Sequence, residues 1–248
     1  MSGPSPTGPV LPELGLSFGS VAETYHRVRP PYSQRLLDLA QQALGLDSSA
    51  RVLDLAAGTG RLTRELRRRF KDVVAVEPDE RMREVHGSAL DGSAEAIPLG
   101  DSSVDAVFVG EAFHWFDPAA AIPEVARVLR PGGGLAAVNT HWWETDPPLP
   151  DEALEPLSEP YERSLPQRRP PWHDAFGAAP FEPLRLERAE DELTVDADEL
   201  LTLYSTTSAM ASLAPGERSA LLARVRPLLA GPYRLPLKHE LRWTRLAG

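Results

Sequence analysis

The sequence predicts an α/β protein with a doubly wound, mostly parallel sheet, an antiparallel C-terminal strand and a small cap insertion. Between about residues 33 and 140, strand-like apolar runs alternate with helical patterns, which is typical of a parallel sheet with helices on both faces. The run 235–243 alternates residue by residue and indicates a half-buried strand, which Pro236 places at or near a sheet edge. The proline-rich stretch 145–183 follows neither pattern and predicts the cap.

The length of 248 residues allows one sizeable hydrophobic core, so we predict a single domain over 16–248. The first residues are rich in proline, glycine and serine, which is a composition typical of disorder. The predicted boundaries are a disordered tail at 1–15, an N-terminal lid at 16–32, a core at 33–140 and 184–248, and a cap at 141–183.

The composition excludes several classes of site and partner. A formal net charge of −10 gives the chain no general attraction to nucleic acid or to an anionic membrane. Without cysteine there is no disulfide, thiolate nucleophile or cysteine-ligated metal, and no other spacing predicts a metal site. With no signal peptide or membrane-spanning run recognised, we expect a cytoplasmic protein with a small-molecule substrate, as a monomer or a homodimer.

Apolar spacing places the elements of the N-terminal half. Residues at helical spacing predict helices over 36–44 and 62–70, the first of them stopped by Gly45. The predicted strands are 52–55, 73–76, a weak one at 89–93, 104–109, and 135–138 after a glycine turn at 131–134.

Capping residues place the later helices. Asp117 is a predicted N-cap followed by a proline at the first helical position, and Pro123 is expected to kink or restart that helix. Asp196 with Glu199 resembles a capping box that opens a helix through about residue 210. A strand at 184–193 and a helix at 221–229 complete the prediction.

The most informative stretch is Arg51–Gly60, where an apolar strand runs into an acidic residue and then a glycine turn. Gly58 and Gly60 allow positive φ and a close approach of the backbone to a ligand. Glu77 ends the next predicted strand, where its carboxylate can accept both hydroxyls of a ribose. These features predict a nucleotide-like ligand at the carboxyl ends of the strands. A structural strand–turn–helix without a ligand is the alternative.

Two cofactor classes use this geometry, and charge separates them. A nicotinamide dinucleotide places its pyrophosphate over a Gly-x-Gly-x-x-Gly loop, but Thr63 occupies the third glycine position. Asp54 puts an anion beside the loop, which opposes a pyrophosphate and suits a ligand with ammonium and sulfonium charges. S-adenosylmethionine is such a ligand.

Four blocks occur in order along this half of the chain: Val52–Gly60, Val74–Met82, Gly92–Leu99 and Val128–Gly134. At these spacings the chain resembles the class I S-adenosylmethionine-dependent methyltransferases, in particular the type 11 group of UbiE-like and trans-aconitate methyltransferase-like enzymes. The resemblance covers roughly residues 18–140 and, more weakly, the C-terminal strand. It implies a Rossmann-like methyltransferase sheet and S-adenosylmethionine as the cofactor.

By position, the resemblance also implies cofactor contacts. Asp54 lies near the methionine end of the cofactor, and Glu77 binds the ribose. The other implied contacts are the backbone of Ala56, Gly58 and Gly60, then Pro78, Met82, Ala94 and Glu95 around the adenine, and Glu111 and Ala112 at the methionine moiety. The chain departs from the pattern at Ala56, where glycine is frequent, and at Ser93, where an aspartate is frequent.

The block 111–117 follows the fourth predicted strand and is expected to face the cleft. His114 is the candidate general base because an imidazole titrates near neutral pH, and Glu111 is a second catalytic candidate. The alternative is a structural histidine, with Trp115 and Phe116 in the core. Methyl transfer from a sulfonium needs alignment more than a base, because the leaving group is neutral.

Two further groups of residues are candidates for binding. The lid of the resembled enzymes covers the cofactor, which implies that Tyr25 and Arg29 approach the methionine carboxylate. The alternative is a packed segment with a surface arginine. Candidates for an acceptor pocket are His114, Trp115, His141, Trp142, Trp143, Trp172, His173 and Tyr204. The alternative for the five residues at 141–143 and 172–173 is that they anchor the cap to the sheet, and for Tyr204 it is a core position.

The resemblance implies methyl transfer to O, N or C of a small-molecule metabolite, by in-line displacement without a metal. An S-adenosylmethionine-binding enzyme that cyclises the cofactor or rearranges a substrate is one alternative. A catalytically inactive methyltransferase-fold partner is another, although the intact acidic and glycine positions of the loop speak against it.

Overall fold

The computed structural model describes residues 16–142, 149–164, 172–178 and 180–247. The predicted disordered tail at 1–15 and the candidate pocket residue Trp143 lie outside these residues. The described chain forms one mixed sheet with helices packed on both of its faces.

The sheet has seven strands in the order β3-β2-β1-β4-β5-β7-β6. The strands are β1 (Arg51–Leu55), β2 (Asp72–Glu77), β3 (Leu90–Asp91), β4 (Val104–Gly110), β5 (Leu129–His141), β6 (Arg185–Val195) and β7 (Tyr233–Arg245). The first five pair in parallel, while β7 is antiparallel to both β5 and β6. This confirms the predicted fold class.

The helices cover the sheet on two sides and extend into the cap. They are α1 (Ala22–Val28), α2 (Gln34–Ala43), α3 (Arg61–Arg67), α4 (Glu80–His86), α5 (Pro118–Val128), α6 (Asp151–Ser164), α7 (Ala197–Ser205), α8 (Ser208–Ala211) and α9 (Pro215–Val225). Short 3-10 turns occupy Leu16–Val21, Phe113–Trp115, Trp172–Ala178 and Arg226–Leu228.

Some expectations about element ends are wrong. Pro123 lies inside a continuous α5 and does not restart it. The helix opened by Asp196 ends at Ser205, because the Thr206 and Thr207 hydroxyls donate back to carbonyls of its last turn and Thr207 then caps α8. The glycine turn expected at 131–134 is part of β5, which begins at Leu129.

Strand β6, not the final strand, forms the sheet edge. The edge-like signal of Pro236 is local: β5 pairs with β7 only from Arg245 to Lys238, so within the described chain Pro236 lies beyond the end of β5. Its register partner is Glu192 on β6. A proline is tolerated there because a neighbouring strand lies on one side only.

Three apolar clusters hold the layers together. One lies between the sheet and α2 with α3, and a second lies on the opposite face under α5. A third joins α6, in the predicted cap, and α7 to the N-terminal half of β7. Because β1 has β2 on one side and β4 on the other, the strand order reverses at β1 and opens a crevice at the carboxyl ends of these strands.

Candidate active site

The glycine loop between β1 and α3 forms one wall of this crevice. Ala56, Gly58 and Gly60 all take left-handed φ, at 56°, 55° and 81°. The Ala57 amide donates to the Val76 carbonyl of β2 over 3.0 Å, which ties the loop to the neighbouring strand. The predicted turn therefore exposes its backbone where the strand order switches.

Glu77 ends β2 and braces the loop. Its side chain is buried and accepts hydrogen bonds from the Gly58 amide at 2.8 Å and the Asp79 amide at 2.9 Å. Burial raises the pKa of Glu77, and these two amides act in the opposite direction. Each carboxylate oxygen has a further lone pair, so the group can also accept ribose hydroxyls.

Asp54 has a buried carboxylate oxygen that lacks a hydrogen-bond donor among the described residues. It is fully buried, and its Oδ2 accepts from the Thr63 hydroxyl at 2.5 Å. Its Oδ1 is buried and accepts no hydrogen bond from any residue described in the structure. Burial raises the pKa of Asp54 to about 7. A buried carboxylate oxygen is stable only when a donor or a cation pairs with it, so the site fits the ammonium group of S-adenosylmethionine.

The predicted lid residues and Glu111 come together at the end of β4. The Arg29 guanidinium lies 4.7 Å from the Tyr25 ring and 5.7 Å from the Trp142 ring, and it donates to the Thr206 carbonyl at 2.5 Å. Burial lowers the pKa of Arg29, while the negative charge of Glu111 acts against that shift.

Glu111 itself is strained and half-buried. It takes a φ of 58°, and its carboxylate accepts a hydrogen bond from the Thr140 amide of β5. Burial raises the pKa of Glu111 to about 7, although the charge of Arg29 opposes this. The positive charge of His141 also lowers this pKa. The structure thus brings Glu111, Arg29 and His141 near one another, and their roles in binding stay predictions.

The residues predicted around the adenine lie beside β2 and β3. Met82 and Ala94 are buried, and Pro78 is exposed. The Glu95 carboxylate accepts from the Asp117 amide at 3.0 Å, so it also ties this segment to the start of α5. Ala112 is buried in the cluster under α5.

The N-terminal 3-10 turn lies over the end of β2. A Cβ atom added at Gly19 would lie 2.7 Å from the Asp79 carboxylate, so the backbone of the turn passes directly against that side chain. The turn also packs against α4 and α8. This position agrees with a segment that covers the adenine side of the crevice.

The acceptor candidates separate into two places. His114 is exposed in the turn Phe113–Trp115, and its ring lies 4.5 Å from that of Trp115. Trp172 stacks on Phe113 with ring centroids 4.3 Å apart, and His173 lies beside Asp174 at 3.3 Å. These contacts cluster on the α5 side of the sheet.

The second place is the cap. Trp142 is 1% exposed and meets Tyr204 edge-on at 5.2 Å, within the cluster that joins the cap to β7. Burial raises the pKa of Tyr204 to about 12. Both rings belong to this apolar cluster, which for Tyr204 is the core position that was the alternative, and the Arg29 guanidinium faces the Trp142 ring. Pocket roles for the acceptor candidates stay predictions.

Sequence reasoning missed several residues of this crevice. The Tyr32 hydroxyl lies against Gly110, since a Cβ there would be 2.5 Å from it, and burial raises the Tyr32 pKa well above its usual value. Arg61 donates to the Pro30 carbonyl at 2.5 Å and lies 5.8 Å from the Tyr32 ring. The signal was present, because Arg61 directly follows the glycine loop and Tyr32 ends an Arg-Pro-Pro-Tyr block.

Two kinds of feature, a metal-binding group and a membrane-spanning helix, are absent from the described residues. Within the ranges that the structure describes, no group of three or more histidine and acidic side chains is arranged to hold a metal ion. None of the described helices is long and apolar enough to cross a membrane.

Comparison with known proteins agrees with the fold and the crevice. A family model for a methyltransferase domain matches residues 53–137. An uncharacterized methyltransferase of Mycobacterium tuberculosis is 41% identical over 224 residues, covering 88% of this chain and 87% of that protein. A solved structure from Anaeromyxobacter dehalogenans, assigned as a type II methyltransferase, is 24% identical with a TM-score of 0.63, covering 88% and 98% of the two chains.

The fold and the crevice define a class I, Rossmann-like methyltransferase architecture. The chain belongs to the methyltransferase family, in the type 11 group that its four sequence blocks predict. This confirms the resemblance on which the site residues were chosen.

Proposed function

We propose that the protein transfers a methyl group from S-adenosylmethionine to an O, N or C atom of a small-molecule metabolite. The observation that carries the proposal is the buried Asp54 carboxylate, whose Oδ1 accepts no hydrogen bond from the described residues. A cationic cofactor would supply the missing partner, whereas the pyrophosphate of a dinucleotide would be repelled.

The remaining cofactor contacts follow from the crevice. Glu77 would receive the ribose hydroxyls, and Met82 with Ala94 would pack on the adenine. Arg29 would pair with the methionine carboxylate from the lid side, since its guanidinium sits in a site enclosed by Tyr25 and Trp142.

The bound cofactor supplies a methyl group on a positively charged sulfur, and a neutral thioether leaves. The chain's own contribution is then alignment of the acceptor and exclusion of water. In this proposal Glu111 receives the proton that the acceptor loses, because its pKa of about 7 lets it act as a base near neutral pH. His114 is the second candidate, on an exposed turn that an acceptor can reach.

The proposed partner is a metabolite rather than a nucleic acid or a membrane, in keeping with the net charge of −10. A cytoplasmic location is part of the same proposal. A relative from Pectobacterium atrosepticum is named a malonyl-[acyl-carrier protein] O-methyltransferase and is 32% identical over 160 residues, or 60% of this chain. That name makes carboxyl oxygen one acceptor atom worth testing here.

Calorimetric titration with S-adenosylhomocysteine tests the proposal. Asp54→Ala and Glu77→Ala should each weaken binding by about 1–3 kcal/mol, because each strands a hydrogen-bonded partner or a ligand donor. Glu187→Ala, which removes an exposed carboxylate on edge strand β6, serves as the matched control and should leave affinity unchanged.

Unchanged affinity in both site variants would contradict the proposed cofactor. Product analysis with candidate metabolites then separates the chemistries. Methyl transfer releases S-adenosylhomocysteine, and cofactor cyclisation would release methylthioadenosine instead.

A further inference from the structure

A series of hydrogen bonds leads from Ser88, just after α4, through His86 and Thr63 to the Asp54 carboxylate. The Ser88 amide lies 3.3 Å from His86 Nδ1, and His86 Nε2 lies 2.9 Å from the Thr63 hydroxyl oxygen. That hydroxyl lies 2.5 Å from Asp54 Oδ2. Neither Thr63 nor His86 belongs to the residues that the sequence reasoning selected for the cofactor.

The direction of each hydrogen bond in the chain follows from its neighbours. An amide N–H can only donate, so His86 Nδ1 accepts from Ser88, and the neutral imidazole must carry its proton on Nε2. The Thr63 hydroxyl therefore accepts a hydrogen bond from His86 and donates its single hydrogen to Asp54. Burial and the positive charge of Arg67 lower the pKa of His86, which favours this neutral form.

The same histidine also supports the glycine loop. A Cβ atom added at Gly60 would lie 2.8 Å from His86 Cδ2, so the imidazole packs directly against the loop backbone. Thr63 is 1% exposed, and its hydroxyl lies between His86 Nε2 and Asp54 Oδ2 in the hydrogen-bond series. Rotation of the Asp54 carboxylate would break the short bond to Thr63.

We propose that Thr63 and His86 are positioning residues that hold the Asp54 carboxylate so that its Oδ1 receives the ammonium group of the cofactor. The inference rests on the proposed function, which it deepens by assigning two further residues to the same site. Neither residue touches the cofactor in this proposal. Each acts through Asp54.

The test compares two ligands that differ in the group Asp54 receives. S-adenosylhomocysteine carries the amino-acid ammonium, and methylthioadenosine lacks it. Thr63→Val should lower the affinity for S-adenosylhomocysteine about tenfold, equivalent to about 1.4 kcal/mol, and change that for methylthioadenosine less than about twofold. Thr63→Ser keeps the hydroxyl and should retain the affinity of the unaltered protein.

A matched control and a second position make the test independent of folding. Thr194→Val makes the same substitution at an exposed site on edge strand β6 and should change neither affinity. His86→Leu removes the donor to Thr63 and should lower S-adenosylhomocysteine affinity about threefold, whereas His86→Gln retains a donor and should restore it.

The pH profile separates positioning from packing. Glu77, Arg67 and Tyr32 also face Asp54, and none of them changes in these variants. The Thr63 hydroxyl lowers the Asp54 pKa, so Thr63→Val should move the acid limb of the affinity profile to higher pH. Damage to packing alone would reduce affinity without moving this limb.

Equal affinity of the unaltered protein and Thr63→Val for S-adenosylhomocysteine, or an equal loss for both ligands, would overturn the positioning role. An unmoved acid limb would do the same. If the unaltered protein failed to bind S-adenosylhomocysteine, the proposed function would fall first, and this assignment would fall with it.

Discussion

At the scale of single residues, strain and unmet charge lie together at the carboxyl ends of β1 and β4. Ala56 and Glu111 take left-handed φ of 56° and 58°, a conformation that costs a residue with a side chain about 1–2 kcal/mol. The Asp54 carboxyl near the end of β1 is buried, and its Oδ1 accepts no hydrogen bond from the described residues. Such features persist where the surrounding structure imposes them, and they are concentrated at ligand sites.

The strain at Ala56 can be measured. Ala56→Gly should raise the free energy of unfolding by about 0.5–1 kcal/mol, since glycine takes positive φ without a steric penalty. Urea denaturation provides the measurement. The neighbouring substitution Ala57→Gly is the control and should destabilise by a similar amount, because the buried Ala57 has no positive φ to relieve.

A drop in stability for both variants would show that the loop holds Ala56 without strain. The comparison is informative because both substitutions remove the same methyl group within one loop. The two positions differ in backbone conformation, and also in burial, since Ala56 is half-buried and Ala57 is buried.

At the scale of elements, side-chain caps place the segments that build the site. Asp79 accepts from the Arg81 and Met82 amides, so α4 begins just after the end of β2 and brings Met82 into the core. Asp117 accepts from the Ala119 amide at 3.1 Å at the start of α5, while its own amide donates to Glu95. Through its amide and its side chain, Asp117 therefore links Glu95, in the segment predicted to contact adenine, to the start of α5 just after the turn that carries His114.

Loss of the α5 cap should be visible in stability. Asp117→Ala should lower the free energy of unfolding by about 1 kcal/mol, because the Ala119 amide loses its acceptor. Asp117→Asn keeps an acceptor oxygen and should cost only a few tenths of that. Chemical denaturation of the two variants tests this, and equal losses would mean that the charge, not the cap, stabilises the helix.

At the scale of the whole molecule, the acidic chain buries carboxyls at its crevice. The folded-state pKa of Asp54, about 7, lies above the ordinary value of an aspartate. Between about pH 4 and pH 7 the folded protein therefore keeps a proton that the unfolded chain has lost, so burying this carboxyl costs stability that grows as pH rises through this range. A bound cation that pairs with the ionised carboxylate would offset the cost.

Ligand-induced stabilisation should depend on pH accordingly. S-adenosylhomocysteine at 100 times its Kd should stabilise the protein by about 2.7 kcal/mol, or a Tm shift of roughly 5–10 °C for a chain of this size. With the ligand concentration set at pH 8 and kept the same at pH 6, the shift should be larger at pH 8, because Asp54 must ionise to receive the ammonium group and the Kd is therefore lower there. Thermal scans at the two pH values measure it, and a larger shift at pH 6 would contradict the role of Asp54.

Much of the fold was predictable because its signals are local. Apolar periodicity identified the strands and most helices, and the cap residues Asp117 and Asp196 were correctly placed. The errors also have local causes that spacing does not reveal. Helix α5 continues through Pro123 and does not restart there. Helix α7 ends early, and the hydroxyls of Thr206 and Thr207 donate to carbonyls of its last turn.

The sequence by itself determined the class of the protein, since Asp54, the glycine loop and Glu77 all fall within one short stretch of the sequence, residues 52–77. The tertiary structure alone decided which distant residues meet there. Tyr32 reaches Gly110, and His86 reaches Asp54 through Thr63, across separations that no periodicity encodes. The physical reason is that hydrogen bonds and burial act through space, so a partner is chosen by the packing of whole elements.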